Sequence, residues 1–150
     1  MKKILPQANS FETIINVFLF AGIKDRYVKE DIAQFCGFDI RQADYYLGAC
    51  IYLGLFDEKG NLTSIGHDII DNDREHCKER LYELVICDEL AGKIFAKMAL
   101  TPHYDIDEIR NYAAAIINEK YSYSPAVISR RSSAMVGWCE DILNYVRRNK

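Results

Sequence analysis

The amino-acid sequence predicts a mainly α-helical fold with one small β-hairpin. Most of its 150 residues lie in stretches whose apolar positions repeat every three or four residues, which is the spacing of one helix face. A Ser, Thr or Asp precedes several of these stretches and can cap the helix that follows. The spacing changes over residues 55–63, where Lys59-Gly60-Asn61 supplies the turn that a short hairpin needs.

The order of elements in the first half indicates a winged helix-turn-helix. Three helices are expected before the hairpin, over residues 10–22, 29–36 and 39–53. A further helix follows the hairpin, with Thr63 or Ser64 as its cap. In such a unit the hairpin covers the open edge of three packed helices, and the third helix projects a polar side outward. We therefore predict a winged helix-turn-helix unit over residues 10–71.

The second half, residues 74–150, is predicted to hold a long helix and a second unit of similar order. The long helix covers residues 74–99 and ends before Pro102. Asp105 and Glu108 have the spacing of a capping box and open the next helix, and Ser124-Pro125 opens the last one. The sequence thus predicts two tandem helix-turn-helix units, of which the second has no wing.

The charges are unevenly distributed along the chain, whose net charge is −3. Residues 120–150 carry six basic and two acidic side chains, a net +4, whereas the remainder carries 13 basic and 20 acidic side chains, a net −7. A basic end on an acidic body suggests one face for an anionic partner. The helix dipole offers an alternative reason for Arg147 and Arg148 near the chain end, but not for Arg130 and Arg131.

Several classes of protein are disfavoured by the composition. The five cysteines contain no Cys-x-x-Cys pair, so we expect neither a disulfide framework nor a zinc site. The apolar run at residues 14–23 is too short to span a membrane, and the beginning does not resemble a signal peptide. These features predict a cytoplasmic protein that makes no membrane contact.

Enzyme signatures are also weak. The three histidines are scattered, no Gly-rich phosphate loop is present, and no His accompanies a Ser or Cys in a familiar motif. We predict no catalytic residue, no metal ion and no cofactor, and therefore no enzyme activity of this chain by itself.

The start of the third helix is the first candidate for DNA contact. A helix-turn-helix places the N-terminal residues of its second helix near base edges in the major groove. Here those residues include Arg41, Gln42 and Tyr45, and Arg and Gln can read guanine and adenine through paired hydrogen bonds. Asp39 and Asp44 oppose the phosphate charge, so the alternative is a scaffold or a protein-binding surface.

The last helix holds the second candidate set, Ser129, Arg130, Arg131 and Ser133. Paired arginines flanked by hydroxyl groups near a helix N-terminus suit phosphate binding, because the donors and the helix dipole act together. The alternative is a solvated arginine pair that forms salt bridges with Glu119 or another acid.

Four tyrosines are candidates for stacking on bases: Tyr45, Tyr46, Tyr121 and Tyr123. A tyrosine at helical spacing is more often part of the core, with its hydroxyl at the surface. That interpretation is preferred for Tyr46, and the other three remain open.

Two segments resemble winged-helix modules attached to prokaryotic restriction endonucleases and related restriction-modification proteins. In residues 40–55, Arg41-Gln42 and Tyr45-Tyr46 precede Tyr52-Leu53-Gly54-Leu55. In residues 129–138, two arginines are followed by two serines and then by Trp138. Leu62-Thr63-x-x-Gly66 between these segments also fits.

This resemblance implies a module that recognises double-stranded DNA and is usually joined to a catalytic nuclease domain or subunit. The chain is then expected to be a fragment of a larger endonuclease or a module that acts by itself. The rival hypothesis is a protein-interaction or dimerisation module, for example in a homodimer, that makes no DNA contact.

Overall fold

The structure, a computed structural model, describes residues 3–149. Within that range the chain forms eight helices: α1 (Phe11–Ile23), α2 (Lys29–Cys36), α3 (Ile40–Tyr52), α4 (Ser64–Ile70), α5 (Arg74–Cys87), α6 (Glu89–Ala99), α7 (Ile106–Lys120) and α8 (Pro125–Arg148). The chain divides into two compact units, of which the first ends at Leu81 and the second begins at Tyr82. The division therefore falls inside α5.

The core of the first unit forms around α1, which packs against α2, α3 and α4. Ser10 caps α1, because its hydroxyl accepts a hydrogen bond from the backbone N–H of Thr13 at 3.2 Å. Phe11, Ile14 and Phe18 lie on the inner face of α1 and are buried. Burial of one such large apolar side chain contributes about 1.5–3 kcal/mol, so this face accounts for much of the stability of the unit.

Tyr27, between α1 and α2, joins three parts of the first unit. Its ring meets that of Phe56 edge-on at a centroid distance of 5.6 Å. Its hydroxyl donates a hydrogen bond to the carbonyl oxygen of Ala43 in α3 at 2.6 Å, and its backbone N–H donates to the carbonyl of Gly60 at 2.7 Å. Burial raises the pKa of Tyr27, so the hydroxyl remains a neutral donor.

The predicted β-hairpin over residues 55–63 is not formed, and the prediction of tandem winged helix-turn-helix units is wrong. Among residues 3–149 there is no strand and no sheet. Two isolated antiparallel bridges occur, one between Phe56 and Leu62 and one between Arg26 and Asn61. The described chain is all-helical, and its remaining residues form turns and loops.

Local hydrogen bonds explain why no ladder develops. The carboxylate of Asp57 accepts hydrogen bonds from the backbone N–H groups of Lys59 and Asn61, each at 2.9 Å, and these bonds lower the pKa of Asp57. The N–H of Leu62 then donates to the carbonyl of Asp25 at 3.1 Å. A short Asp side chain offers the backbone an alternative to strand pairing. The turn signal in the sequence was correct, but it does not by itself produce strands.

The second unit is built from α6, α7 and α8, which pack on one another. Trp138 of α8 is completely buried in its core. The prediction of one unbroken helix over residues 74–99 is wrong, because Asp88 separates α5 from α6. The Asp88 carboxylate accepts a hydrogen bond from the N–H of Ala91 at 3.0 Å and caps α6, a position that Asp prefers to a helix interior.

Candidate nucleic-acid interface

The turn between α2 and α3 determines what the start of α3 exposes. Gly37 ends α2 in the left-handed conformation, with φ at +73°. Asp39 then caps α3, because its Oδ1 accepts a hydrogen bond from the N–H of Gln42 at 2.9 Å. The buried side of α3 includes Ala43, so Arg41 and Gln42 lie exposed on its first turn.

Arg41 and Tyr45 form a pair along α3. The Nε of Arg41 donates a hydrogen bond to the hydroxyl of Tyr45 at 2.7 Å, and the two residues are four apart, on adjacent turns. Tyr45 is half-buried. The Cζ of Arg41 also lies 5.7 Å from the centroid of the Tyr45 ring, so the guanidinium is held close to the helix surface.

The acidic neighbour Asp44 has a basic partner. Its carboxylate lies 3.3 Å from Nζ of Lys29, at the start of α2. An exposed pair of this kind adds little stability, but it compensates part of the negative charge beside Arg41. No sequence signal indicates this pairing, since the two residues are far apart in the chain and only the fold brings them together.

The start of α8 is built as the sequence predicts. Ser124 caps the helix by accepting a hydrogen bond from the N–H of Val127 at 3.3 Å, and Pro125 occupies the first turn. Ser132 is buried and its hydroxyl donates to the carbonyl of Ile128 at 2.6 Å. The core side of α8 thus includes Ser132 as well as Trp138.

The opposite side of α8 exposes three of the predicted contact residues, Ser129, Arg130 and Ser133. Within residues 3–149, the guanidinium of Arg130 makes neither an ion pair nor a hydrogen bond. The predicted alternative, in which an acid such as Glu119 neutralises this arginine, is therefore not observed for Arg130. Its positive charge remains available to an anion from solution.

Arg131 lies in a different environment from Arg130. It is half-buried, and its Cζ lies 4.7 Å from the ring centroid of Tyr123. Its Nη1 donates a hydrogen bond to the hydroxyl of Tyr123 at 3.4 Å. Its role as a DNA contact stays a prediction, but the structure uses much of this guanidinium to position Tyr123.

The candidate tyrosines have different surroundings. Tyr46 is buried and stacks on Phe38 at a centroid distance of 5.6 Å, so it belongs to the core of the first unit. Tyr121 and Tyr123 stack on each other and are both half-exposed. The sequence offered Tyr121 and Tyr123 as separate candidates for base stacking and did not indicate that their rings stack on each other.

The two predicted contact sets lie in different units of the fold. Arg41, Gln42 and Tyr45 belong to the first unit, and the set from Ser129 to Ser133 belongs to the second. Each unit thus presents its own polar surface at or near the start of a helix.

Among residues 3–149, no three His, Cys, Asp or Glu side chains come close enough together to hold a metal ion. No helix in this part of the chain is long and apolar enough to cross a membrane.

Comparison with known protein families adds one match. The model of DUF7226, described as a domain of unknown function, matches residues 13–147, which is most of the chain. The chain belongs to the DUF7226 family. The match includes both candidate contact sets, so both are part of the DUF7226 domain. No curated protein and no solved structure matches the chain significantly.

Proposed function

We propose that this DUF7226 domain binds double-stranded DNA through the exposed first half of α8, assisted by the start of α3. The observation that carries the proposal is the environment of Arg130. An exposed guanidinium with no partner in residues 3–149, on a helix that also exposes Ser129 and Ser133, offers only donors to its surroundings. Phosphate oxygens accept from such groups, and Arg, Ser and Thr are common phosphate contacts in DNA complexes.

The start of α3 supports the same proposal. Arg41 and Gln42 are exposed on its first turn, and both side chains suit base edges in the major groove. The pairing of Asp44 with Lys29 reduces the charge that would repel a phosphate. In this proposal α8 supplies affinity through phosphates, and α3 supplies the contacts that distinguish sequences.

The biological setting is a further part of the proposal. Residues 40–55 and 129–138 resemble segments of restriction-modification proteins, and a recognition or targeting module of such a system would act in the cytoplasm with a nuclease domain or subunit. The chain itself is proposed to have no catalytic role. Incubation of the purified chain with plasmid DNA and magnesium or zinc should therefore leave the DNA intact.

A salt titration with a variant of Arg130 tests the DNA proposal. We expect the parent chain to bind a duplex more weakly as salt rises, because bound phosphates release counterions. Arg130→Ala should weaken binding and reduce the slope of log K against log salt by about 1. Arg110→Ala is the matched control, since it removes another exposed arginine, one that pairs with Asp107 on α7.

Two outcomes would overturn the proposal. The first is the absence of duplex binding at low salt. The second is equal weakening by Arg130→Ala and Arg110→Ala, which would indicate a general charge effect and no phosphate contact at Arg130.

The rival function, a protein-interaction or dimerisation module, is favoured by one surface of the first unit. Phe35 on α2 is 52% exposed and stacks on Phe20 of α1 at a centroid distance of 4.1 Å. Ile40, at the start of α3, is 47% exposed. Sedimentation over a range of concentrations tests this function. The interaction module would be favoured if the parent chain forms a dimer but does not bind DNA, and if the dimer is lost in Phe35→Ser.

A further inference from the structure

The connection between α7 and α8 presents two tyrosine rings on one side. Tyr121 has extended backbone angles, with φ at −127° and ψ at 145°. Side chains two residues apart in extended chain point to the same side, so Tyr121 and Tyr123 meet. Their ring centroids are 5.1 Å apart and their planes differ by 11°, which makes a nearly parallel stack.

Arg131 orders this stack from α8. Its guanidinium lies against the ring of Tyr123 and also donates to the Tyr123 hydroxyl. Such contacts between a cation and an aromatic face are attractive, because the ring carries partial negative charge on its face. Tyr123 is therefore held in place between neighbours, although neither tyrosine is buried in the core.

We propose that the Tyr121–Tyr123 stack binds an unpaired nucleobase of DNA. The inference rests on the proposed DNA binding and adds a ligand class to it. A half-exposed, ordered pair of parallel rings offers a flat surface to another flat ring, and stacking on aromatic side chains is how proteins hold unpaired bases without reading their sequence. A fully paired duplex keeps its bases stacked inside and cannot use this surface.

The charges nearby determine how the nucleotide would lie. Arg130 directly precedes Arg131 in α8, about 100° around the helix, and is exposed. Two acidic groups lie near the stack, since Asp88 and Glu89 contribute, after burial and Tyr123, to the raised pKa of Tyr121. Glu89 is paired with Lys120, and Asp88 caps α6. The phosphate beside the stacked base is therefore expected towards Arg130, away from these acids.

A duplex with one unpaired nucleotide tests the inference. The probes are a fluorescently labelled duplex and the same duplex with a single-nucleotide bulge, titrated with the full chain at one salt concentration. We expect the bulged duplex to bind on the order of tenfold more tightly, the range expected for one stacked base. Tyr121→Ala should remove this preference and leave binding of the paired duplex unchanged. Tyr121→Phe keeps the ring and should keep the preference.

A second readout covers the case in which Tyr121→Ala fails to fold. With 2-aminopurine as the bulged base, stacking on a tyrosine should change its emission when the parent chain or Tyr121→Phe binds. Unchanged emission with both chains would overturn the inference.

The outcomes separate this inference from the function on which it rests. Equal affinity of the parent for both duplexes, or a preference that survives in folded Tyr121→Ala, would overturn base stacking while DNA binding stands. Binding of neither duplex would overturn both. Arg130→Ala should weaken both duplexes by the same factor, since it acts on phosphates that both contain.

Discussion

The hydroxyl of Tyr27 donates a hydrogen bond to the carbonyl oxygen of Ala43, with 2.6 Å between the two oxygens. This bond joins the segment before α2 to the inner face of α3 in a buried environment. Residues Asp25 to Tyr27 also pair with the turn after α3 through backbone hydrogen bonds. One tyrosine thus fixes the helix that carries Arg41 and the turn that follows it.

Tyr27→Phe should lower the free energy of unfolding by about 1 kcal/mol, the usual net contribution of a buried hydrogen bond. Urea denaturation followed by circular dichroism measures the change. Tyr45→Phe is the matched control, because the Tyr45 hydroxyl bonds to the exposed Arg41 side chain. Equal losses in the two variants would contradict the special role of the buried bond.

Trp138→Ala should cost about 3–5 kcal/mol, because the indole is completely buried in the second unit and its removal leaves a large cavity. Arg130→Ala, on the exposed side of the same helix, should change stability by less than about 0.5 kcal/mol. Thermal melting of both variants checks the expectation. A small loss in Trp138→Ala would mean that this core tolerates the cavity or refills it.

Two glycines should respond in opposite directions to alanine. Gly60 has φ at +85°, and a Cβ there would lie 2.6 Å from the carbonyl oxygen of Tyr27, so Gly60→Ala should cost at least about 1–2 kcal/mol. Gly48 lies inside α3 with nothing within 4 Å of a Cβ, so Gly48→Ala should stabilise the chain by about 0.5–1 kcal/mol. Chemical denaturation of the two variants measures both changes in the free energy of unfolding. An increase in Gly60→Ala would be incompatible with the described turn.

Stability should fall in mildly alkaline solution because of buried thiols. Burial raises the pKa of Cys139 to about 12, and it also raises the pKa of Cys50. In the unfolded chain a thiol ionises near its ordinary pKa of about 8.5, so the unfolded state binds fewer protons above that pH. The free energy of unfolding is therefore unaffected by these thiols below about pH 8 and decreases as the pH rises towards 12.

Urea denaturation at several pH values from about 7 to 11 measures this decrease. Cys139→Ala should show a shallower decrease than the parent, by up to about 1.4 kcal/mol per pH unit, since one titrating group is removed. The surface variant Arg110→Ala is the control and should follow the parent. If Cys139→Ala and the parent lose stability in parallel, the Cys139 thiol does not contribute.

The sequence predicted those parts of the fold that depend on neighbouring residues. Ser10, Asp39, Thr63 and Ser124 each cap the helix that follows them, as their chemistry indicates. The hairpin prediction failed because the hydrogen bonds of this segment depend on distant partners. Leu62 bonds to Asp25, 37 positions earlier in the chain, and no pattern within residues 55–63 contains that information.

In the candidate site, too, the sequence predicted local features but not contacts between distant residues. The sequence proposed Arg130 as a surface contact of α8, and Arg130 is exposed. Spacing could not indicate that Arg131 would lie against Tyr123, because this contact depends on the path of the connection between α7 and α8. The pairing of Lys29 with Asp44 was missed for the same reason.

The turn over residues 57–61 is irregular but well bonded. The backbone N–H groups of Asp57, Gly60, Leu62 and Thr63 all donate to backbone carbonyls, and Nη1 of Arg26 donates to the side-chain Oδ1 of Asn61 at 2.7 Å. The bonded amide hydrogens of this segment should exchange with deuterated water more slowly than those of an unbonded loop, although the segment belongs to no helix or strand. Lys59 is thus exposed on a preorganised loop, and binding of a partner to it would cost less loop entropy than binding to an unbonded loop.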